Sequence, residues 1–157
     1  MDVHERNLRE AIHLSIANVA QNGGPFGAVI ADKNGEVIAT GVNRVTDSCD
    51  PTAHAEVNAI RAAAARLGTF DLSGCTIYTS CQPCPMCLGA IYWARIDSLF
   101  YACTKQDAAK AGFDDSFIYE ELDRPEAERR LKSGHFLQQE AQEAFRKWME
   151  KTDKTEY

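Results

Sequence analysis

The 157-residue chain has no uninterrupted apolar run near the roughly 18 residues that a membrane-crossing helix needs. Its opening, MDVHERNLRE, is charged and broken and lacks the apolar centre of a signal peptide. An excess of positive charge is missing too. Lys and Arg number 17 against 23 Asp and Glu, which leaves a net charge of -6 and a pI near 5.2. Such a surface repels phosphate backbones, which argues against tRNA or DNA as substrate, and without an apolar span no membrane partner is expected. The basic cluster of Arg124, Arg129, Arg130 and Lys132 reads as a solvated loop. Internal repeats, low-complexity tracts and linkers are also absent. With 45% hydrophobic residues, the chain is expected to form one soluble, cytosolic domain over residues 1–157.

Cysteine is present in an even number, six, yet the spacing does not suggest three disulfides. Cys81, Cys84 and Cys87 crowd into seven residues, and in a reducing compartment metal binding or catalysis accounts for that better. Cys49, Cys75 and Cys103 read as ordinary thiols, the last two as small buried hydrophobes in strands.

Periodicity predicts a helix over 7–21, where Leu8, Ile12, Ile16 and Val19 recur at helical spacing, stopped by Asn22-Gly23-Gly24-Pro25. Strands at 26–31 and 36–42 flank Asp32-Lys33-Asn34-Gly35, a hairpin turn. A helix over 53–67 follows, with Val57, Ile60 and Leu67 inward and Gly68 as its stop. A strand at 75–80, a helix from the cysteine cluster to Arg95 and a strand at 98–102 come next. Beyond Lys105 the signals predict short helices near 107–111 and 116–122, an edge strand near Phe136, and a helix over 138–151 with Ala141, Phe145 and Trp148 inward. Alternating strands and helices imply parallel pairing, with only the first hairpin antiparallel and helices on both sheet faces.

Two segments carry chemistry: Thr52-Ala53-His54-Ala55-Glu56 and Pro83-Cys84-Pro85-Met86-Cys87, each at a helix start. They offer one imidazole and two thiolates, three ligands of a tetrahedral zinc whose fourth position admits water. Cys84 and Cys87 are three apart at a helix N-terminus, so they share a face, and the dipole favours thiolates there. Consecutive helix starts gather beyond the strand ends, which lets residues 30 apart converge. Zinc lowers the pKa of bound water to about 7, and Glu56, two residues from His54, is the carboxylate to take its proton. The alternative is a closed structural zinc with Cys81 as a third sulfur and His54 as fourth ligand; it leaves Glu56 without a purpose. His4, His13 and His135 read as surface or packing residues.

His-x-Glu with Pro-Cys-x-x-Cys is the signature of zinc deaminases. PTAHAEVNAIR (51–61) and TSCQPCPMCLGAIYWAR (79–95) resemble the cytidine-deaminase-like superfamily. That resemblance implies an α/β fold, three-layer α/β/α around a five-stranded mixed sheet, with one Zn2+ per subunit and Glu56 as proton shuttle. GGPFGAVI (23–30), AGFDDSFIY (111–119) and the terminal KTEY look closest to the bacterial guanine deaminases within it.

Carried over by position, the resemblance implies that Asn43 and Ala55 contact a purine base, that Phe26 and Trp93 line its pocket, and that Asp115 and Tyr157 complete recognition. It also implies a homodimer whose segment 138–157 closes the active site and can be exchanged between subunits. A carboxylate at Asp115 suits the ring N–H donors of unsubstituted guanine. The residues alone leave other readings open: Asp115 as a helix cap beside Ser116, Phe26 and Trp93 as plain core, Tyr157 as a fraying end. Other bases or nucleosides (guanosine, cytosine, an aminotriazine), a tRNA adenosine deaminase and a non-enzymatic zinc module are the rival functions. Residues 125–135 carry no feature of the family.

Overall fold

The computed structural model describes all residues, Met1–Tyr157. Helix α1 (Val3–Ala20) leads into the hairpin β1 (Gly27–Ala31) and β2 (Val37–Val42). Helix α2 (Ala55–Leu67) crosses to β3 (Thr76–Cys81), and α3 (Pro85–Trp93) connects β3 to β4 (Ser98–Cys103). Three helices follow: α4 (Lys105–Lys110), α5 (Ser116–Asp123) and α6 (Gln138–Glu150), with a 3-10 turn at Glu126–Glu128. No helix is long and apolar enough to cross a membrane.

The sheet has four strands in the order β2-β1-β3-β4. The expected fifth does not form. Phe136 is exposed and outside any strand, and Leu137 turns the chain into α6 through a left-handed φ of 64°. The pairing also differs from expectation. Both β2 and β3 run antiparallel to β1, and only β3 and β4 are parallel. The reason is topological: α2 carries the chain over β1, so β3 pairs with the far side of β1 rather than with β2. The sheet is mixed and the class α/β.

Helix α1 covers one sheet face through Ala11 against Val29, Ala31 and Tyr78. On the other face Ala55, Ala59 and Ala63 of α2 and Ile91 of α3 pack on Ala28, Ile30 and Ile77. The inward stripes agree with expectation in part, since Leu8 and Ile60 pack against the core, but the fully buried positions differ. In α1 the buried residues are Asn7, Ala11, Ser15 and Asn18, one position before the aliphatic series, and Ile16 is 65% exposed. In α2, Ala55, Glu56, Ala59 and Ala63 are buried and Leu67 is exposed. Close approach explains this, because an added Cβ on Gly41 of β2 would meet Ala55 O at 2.3 Å and Ala59 N at 2.5 Å. Only a small-residue helix face fits so near a sheet. That contact sets the height of the α2 N-terminus, where the chemistry begins.

His4 is a packing residue: its Nδ1 lies 2.9 Å from the Tyr78 hydroxyl, and its ring stacks on Phe100. Cys75 is buried just before β3, whereas Cys103, expected inside, is exposed at the end of β4.

Met1–Ser116 and Phe117–Tyr157 form two compact units. Within the second, Arg129 Nε donates to Glu121 O at 2.9 Å and the Arg130 backbone N–H donates to Glu121 Oε2 at 2.8 Å, tying the chain after α5 back to that helix. No residue of this unit is buried. Ala141, Phe145 and Trp148, expected inward, are exposed on α6.

Candidate metal and catalytic site

His54 and Cys84 occupy equivalent places, each the extended N-cap residue of a helix, at φ -71° and ψ 156° before α2 and φ -69° and ψ 170° before α3. Pro85 opens α3, where its fixed φ fits and its missing N–H costs nothing. Cys87 then falls on the first turn, on the side of Cys84. His54 Nδ1 lies 3.5 Å from Cys84 Sγ and 3.4 Å from Cys87 Sγ, and all three ligand atoms fall within 4.8 Å of one another.

These distances fit zinc. Bond lengths near 2.3 Å to sulfur and 2.0–2.1 Å to nitrogen give an S···N edge of roughly 3.6 Å in a tetrahedron. The donor chemistry fits as well. The Cys84 thiol is pulled down to about 4, first by a hydrogen bond from the Cys87 side chain and further by His54. Cys87 is pushed up, chiefly because it holds the proton of that bond, and His54 is raised by its bond to Cys84. Two sulfurs and an imidazole sharing protons this closely are suited to exchange them for a cation.

Cys81 stands apart: its Sγ lies 3.5 Å from Thr104 O, and burial pushes its thiol up to about 11. The metal-ligand cluster comprises His54, Cys84 and Cys87 alone, so the closed site with a third sulfur from Cys81 does not form. Glu56, on the first turn of α2, is 6% exposed. Burial raises its carboxyl, and a hydrogen bond with Cys87 opposes the rise.

Other sequence-predicted residues gather nearby in part. Asn43 follows β2, its backbone N–H donating to Phe26 O at 3.2 Å and its Oδ1 accepting from Val45 N at 3.1 Å. Phe26 meets Phe113 edge to face, centroids 5.0 Å apart. The carboxyl of Asp115 is raised first by burial and further by the negative charge of Cys84. The neighbouring carboxylate, Asp114, accepts from Ser116 N at 2.9 Å through its Oδ1 at the start of α5. Ala55 has its side chain fully buried in the core. Trp93 sits at the far end of α3, roughly 12 Å along the axis from Pro85, and is 67% exposed beside Arg95. Tyr157 is exposed at the end of the second unit.

The profile of the family described as the cytidine and deoxycytidylate deaminase zinc-binding region matches residues 1–103, which include every ligand atom above. The chain belongs to this zinc deaminase family. Among relatives of this deaminase chain, the guanine deaminase of Bacillus subtilis is 54% identical over 155 residues, spanning 98% of this chain and 99% of the other. An X-ray structure of guanine deaminase from Bacillus subtilis superposes with a TM-score of 0.95 at 52% identity, covering 100% of this chain and 99% of that one. A guanine deaminase structure from Nitrosomonas europaea gives a TM-score of 0.67 at 37% identity, over 77% of this chain and 66% of that one.

Sequence reasoning overlooked the residues that brace the deaminase site. Asn58 Nδ2 donates to Val42 O at 2.8 Å and to Ala53 O, joining β2 to the segment before His54. Ser80 Oγ accepts from Gly27 N at 3.0 Å behind Phe26. Their signal was faint: polar residues at positions whose neighbours on the same face are small.

Proposed function

We propose that this chain hydrolyses guanine to xanthine and ammonia in the cytoplasm. The observation that carries the reading is the extent of likeness: the family profile ends at residue 103, whereas the match to the Bacillus subtilis guanine deaminase continues through Asp115 and the second unit. Six free cysteines suit a reducing compartment.

Zinc held by His54, Cys84 and Cys87 would supply Lewis-acid activation of a water, lowering its pKa to about 7. Glu56 is the proton carrier. Its raised carboxyl pKa brings proton uptake and release closer to neutral pH, where a shuttle works best. It takes the proton of the attacking water and passes it to guanine N3 as the oxygen bonds to C2. The emptied carboxylate then takes the proton of the new C2 hydroxyl and delivers it to the amine, which leaves as ammonia while the C2 carbonyl forms. Guanine and water are consumed, and xanthine and ammonia are released.

Recognition rests on Asp115 accepting from a ring N–H, on Asn43 as a hydrogen-bonding amide, and on Phe26 as an apolar wall, with the backbone at Ala55 alongside. Asp115 is partly buried, so a nucleoside that lacks the N9–H leaves its carboxylate short of a partner. We also assign a homodimer in which segment 138–157 bears on the partner's site, bringing Tyr157, with Trp93 lining the pocket. Support comes from the second unit, which buries no residue of its own while presenting Phe145 and Trp148.

Ammonia release measured on guanine, guanosine, cytosine, an aminotriazine and adenosine-bearing tRNA tests the reading. Turnover of guanine far above the rest is expected. Preference for the tRNA or for a nucleoside would contradict it.

A further inference from the structure

Asn18 lies on the buried face of α1, two residues from its end, and is only 7% exposed. A primary amide in that position is costly unless its polar atoms are bonded. Its Nδ2 donates to Gly24 O at 2.8 Å and to Asn43 O at 2.9 Å. Those carbonyls belong to two separate chain segments, one leading to Phe26 and one leaving β2. Main-chain bonds complete the circuit, from Phe26 N to Gly24 O at 2.8 Å and from Asn43 N to Phe26 O at 3.2 Å.

The two glycines are shaped to this arrangement. An added Cβ on Gly23 would meet the Asn18 amide nitrogen at 2.3 Å, and one on Gly24 would meet the Asn43 side-chain Cγ at 3.0 Å. Each glycine thus leaves room for one amide. Asn43 Oδ1 is already engaged by Val45 N, so its amide nitrogen is the end left to donate to a ligand. Its direction depends on where the Asn43 backbone is pinned, and Asn18 does the pinning.

We propose that Asn18 is a positioning residue for purine recognition, clamping the Gly24–Phe26 loop to Asn43 so that the Phe26 ring and the Asn43 amide meet the base at a fixed separation. This rests on the reading that Phe26 and Asn43 contact guanine. Asn18 touches neither the metal cluster nor Glu56, so its loss falls on binding rather than on the chemical step.

Three variants, assayed for guanine deamination with zinc content and melting temperature in parallel, test the clamp. Asn18→Ala removes both donors, Asn18→Asp keeps the size but turns acceptors toward two carbonyls, and Gly23→Ala keeps Asn18 while driving a methyl into its amide. In each, KM for guanine should rise about tenfold while kcat stays within about twofold and zinc content is unchanged. Combining Asn18→Ala with Asn43→Ala should raise KM by less than the product of the two single effects, because they act on one contact.

A lowered melting temperature with KM unchanged would make Asn18 a fastener of α1 only and overturn the inference, as would multiplicative effects in the double variant. If the Asn18 variants fail to fold, Gly23→Ala decides, a raised KM supporting the clamp and an unchanged one refuting it. Wild-type protein that releases no ammonia from guanine overturns the substrate reading and this inference together; active wild-type with indifferent variants overturns this inference alone.

Discussion

His54 Nδ1 and Cys87 Sγ stand 3.4 Å apart although 33 residues separate them. The contact exists because two helices begin at the same end of the sheet, one led by a histidine and the other by Cys84-Pro85. Neither residue moves into place by its own preference. The sheet puts both helix starts there, and the loops carry the donors.

Glu56→Gln keeps the shape of the side chain and removes its ability to cycle a proton. Deamination should fall by at least about a hundredfold with zinc content intact, as expected when a general acid-base group is lost. Steady-state ammonia release beside metal analysis checks this, and more than about a hundredth of the activity remaining would remove Glu56 from the mechanism.

Asp115 gives the reaction a pH signature. Its pKa is raised above the ordinary carboxylate value, first by burial, so protonation begins at a less acidic pH than for an exposed Asp. Because the charged form is the acceptor, guanine binding is full above that pKa and is lost as pH falls through it. KM should therefore climb on the acid side in wild-type. In Asp115→Asn it should be about tenfold higher near neutrality and lack that climb. A KM profile against pH for both proteins is the measurement.

Gly41→Ala tests how α2 is seated. The new methyl collides with Ala55 O and Ala59 N, so helix or strand must shift, at a cost of about 1–3 kcal/mol. Thermal unfolding should record the loss. Chelator competition should show weaker zinc binding in the same variant, since His54 and Glu56 ride on that helix start.

Removal of residues 138–157 tests the exchanged tail. Light scattering should find the full chain dimeric, and the shortened chain should lose guanine turnover while keeping zinc. A shortened chain with unchanged KM would take Tyr157 out of recognition.

The chemistry was legible because it is local. His-x-Glu and Pro-Cys-x-x-Cys each declare a helix start, and helical spacing alone puts Cys84 beside Cys87. The hairpin at Asn34-Gly35 and the stop at Gly68 were readable for the same reason. Properties that depend on distant partners were not. Antiparallel pairing of β1 with β3 follows from where α2 carries the chain. The fully buried positions of α1 and α2 were missed because close approach of Gly27 and Gly41 favours small side chains there, which leaves Ile16 and Leu67 outside, although Leu8 and Ile60 pack on the core as expected. The edge strand near Phe136 does not form because Leu137 already turns the chain into α6 through a left-handed φ, a local choice the sequence pattern did not show. The apolar stripe of α6 was recognised, yet periodicity does not say which surface covers it.

X-ray absorption at the zinc edge of the loaded protein tests the central claim most directly. A first shell of two sulfurs at about 2.3 Å and two light atoms at about 2.0–2.1 Å is predicted: Cys84, Cys87, His54 and a solvent oxygen. A third sulfur in that shell would mean a closed structural site, and the deaminase account would fail with it.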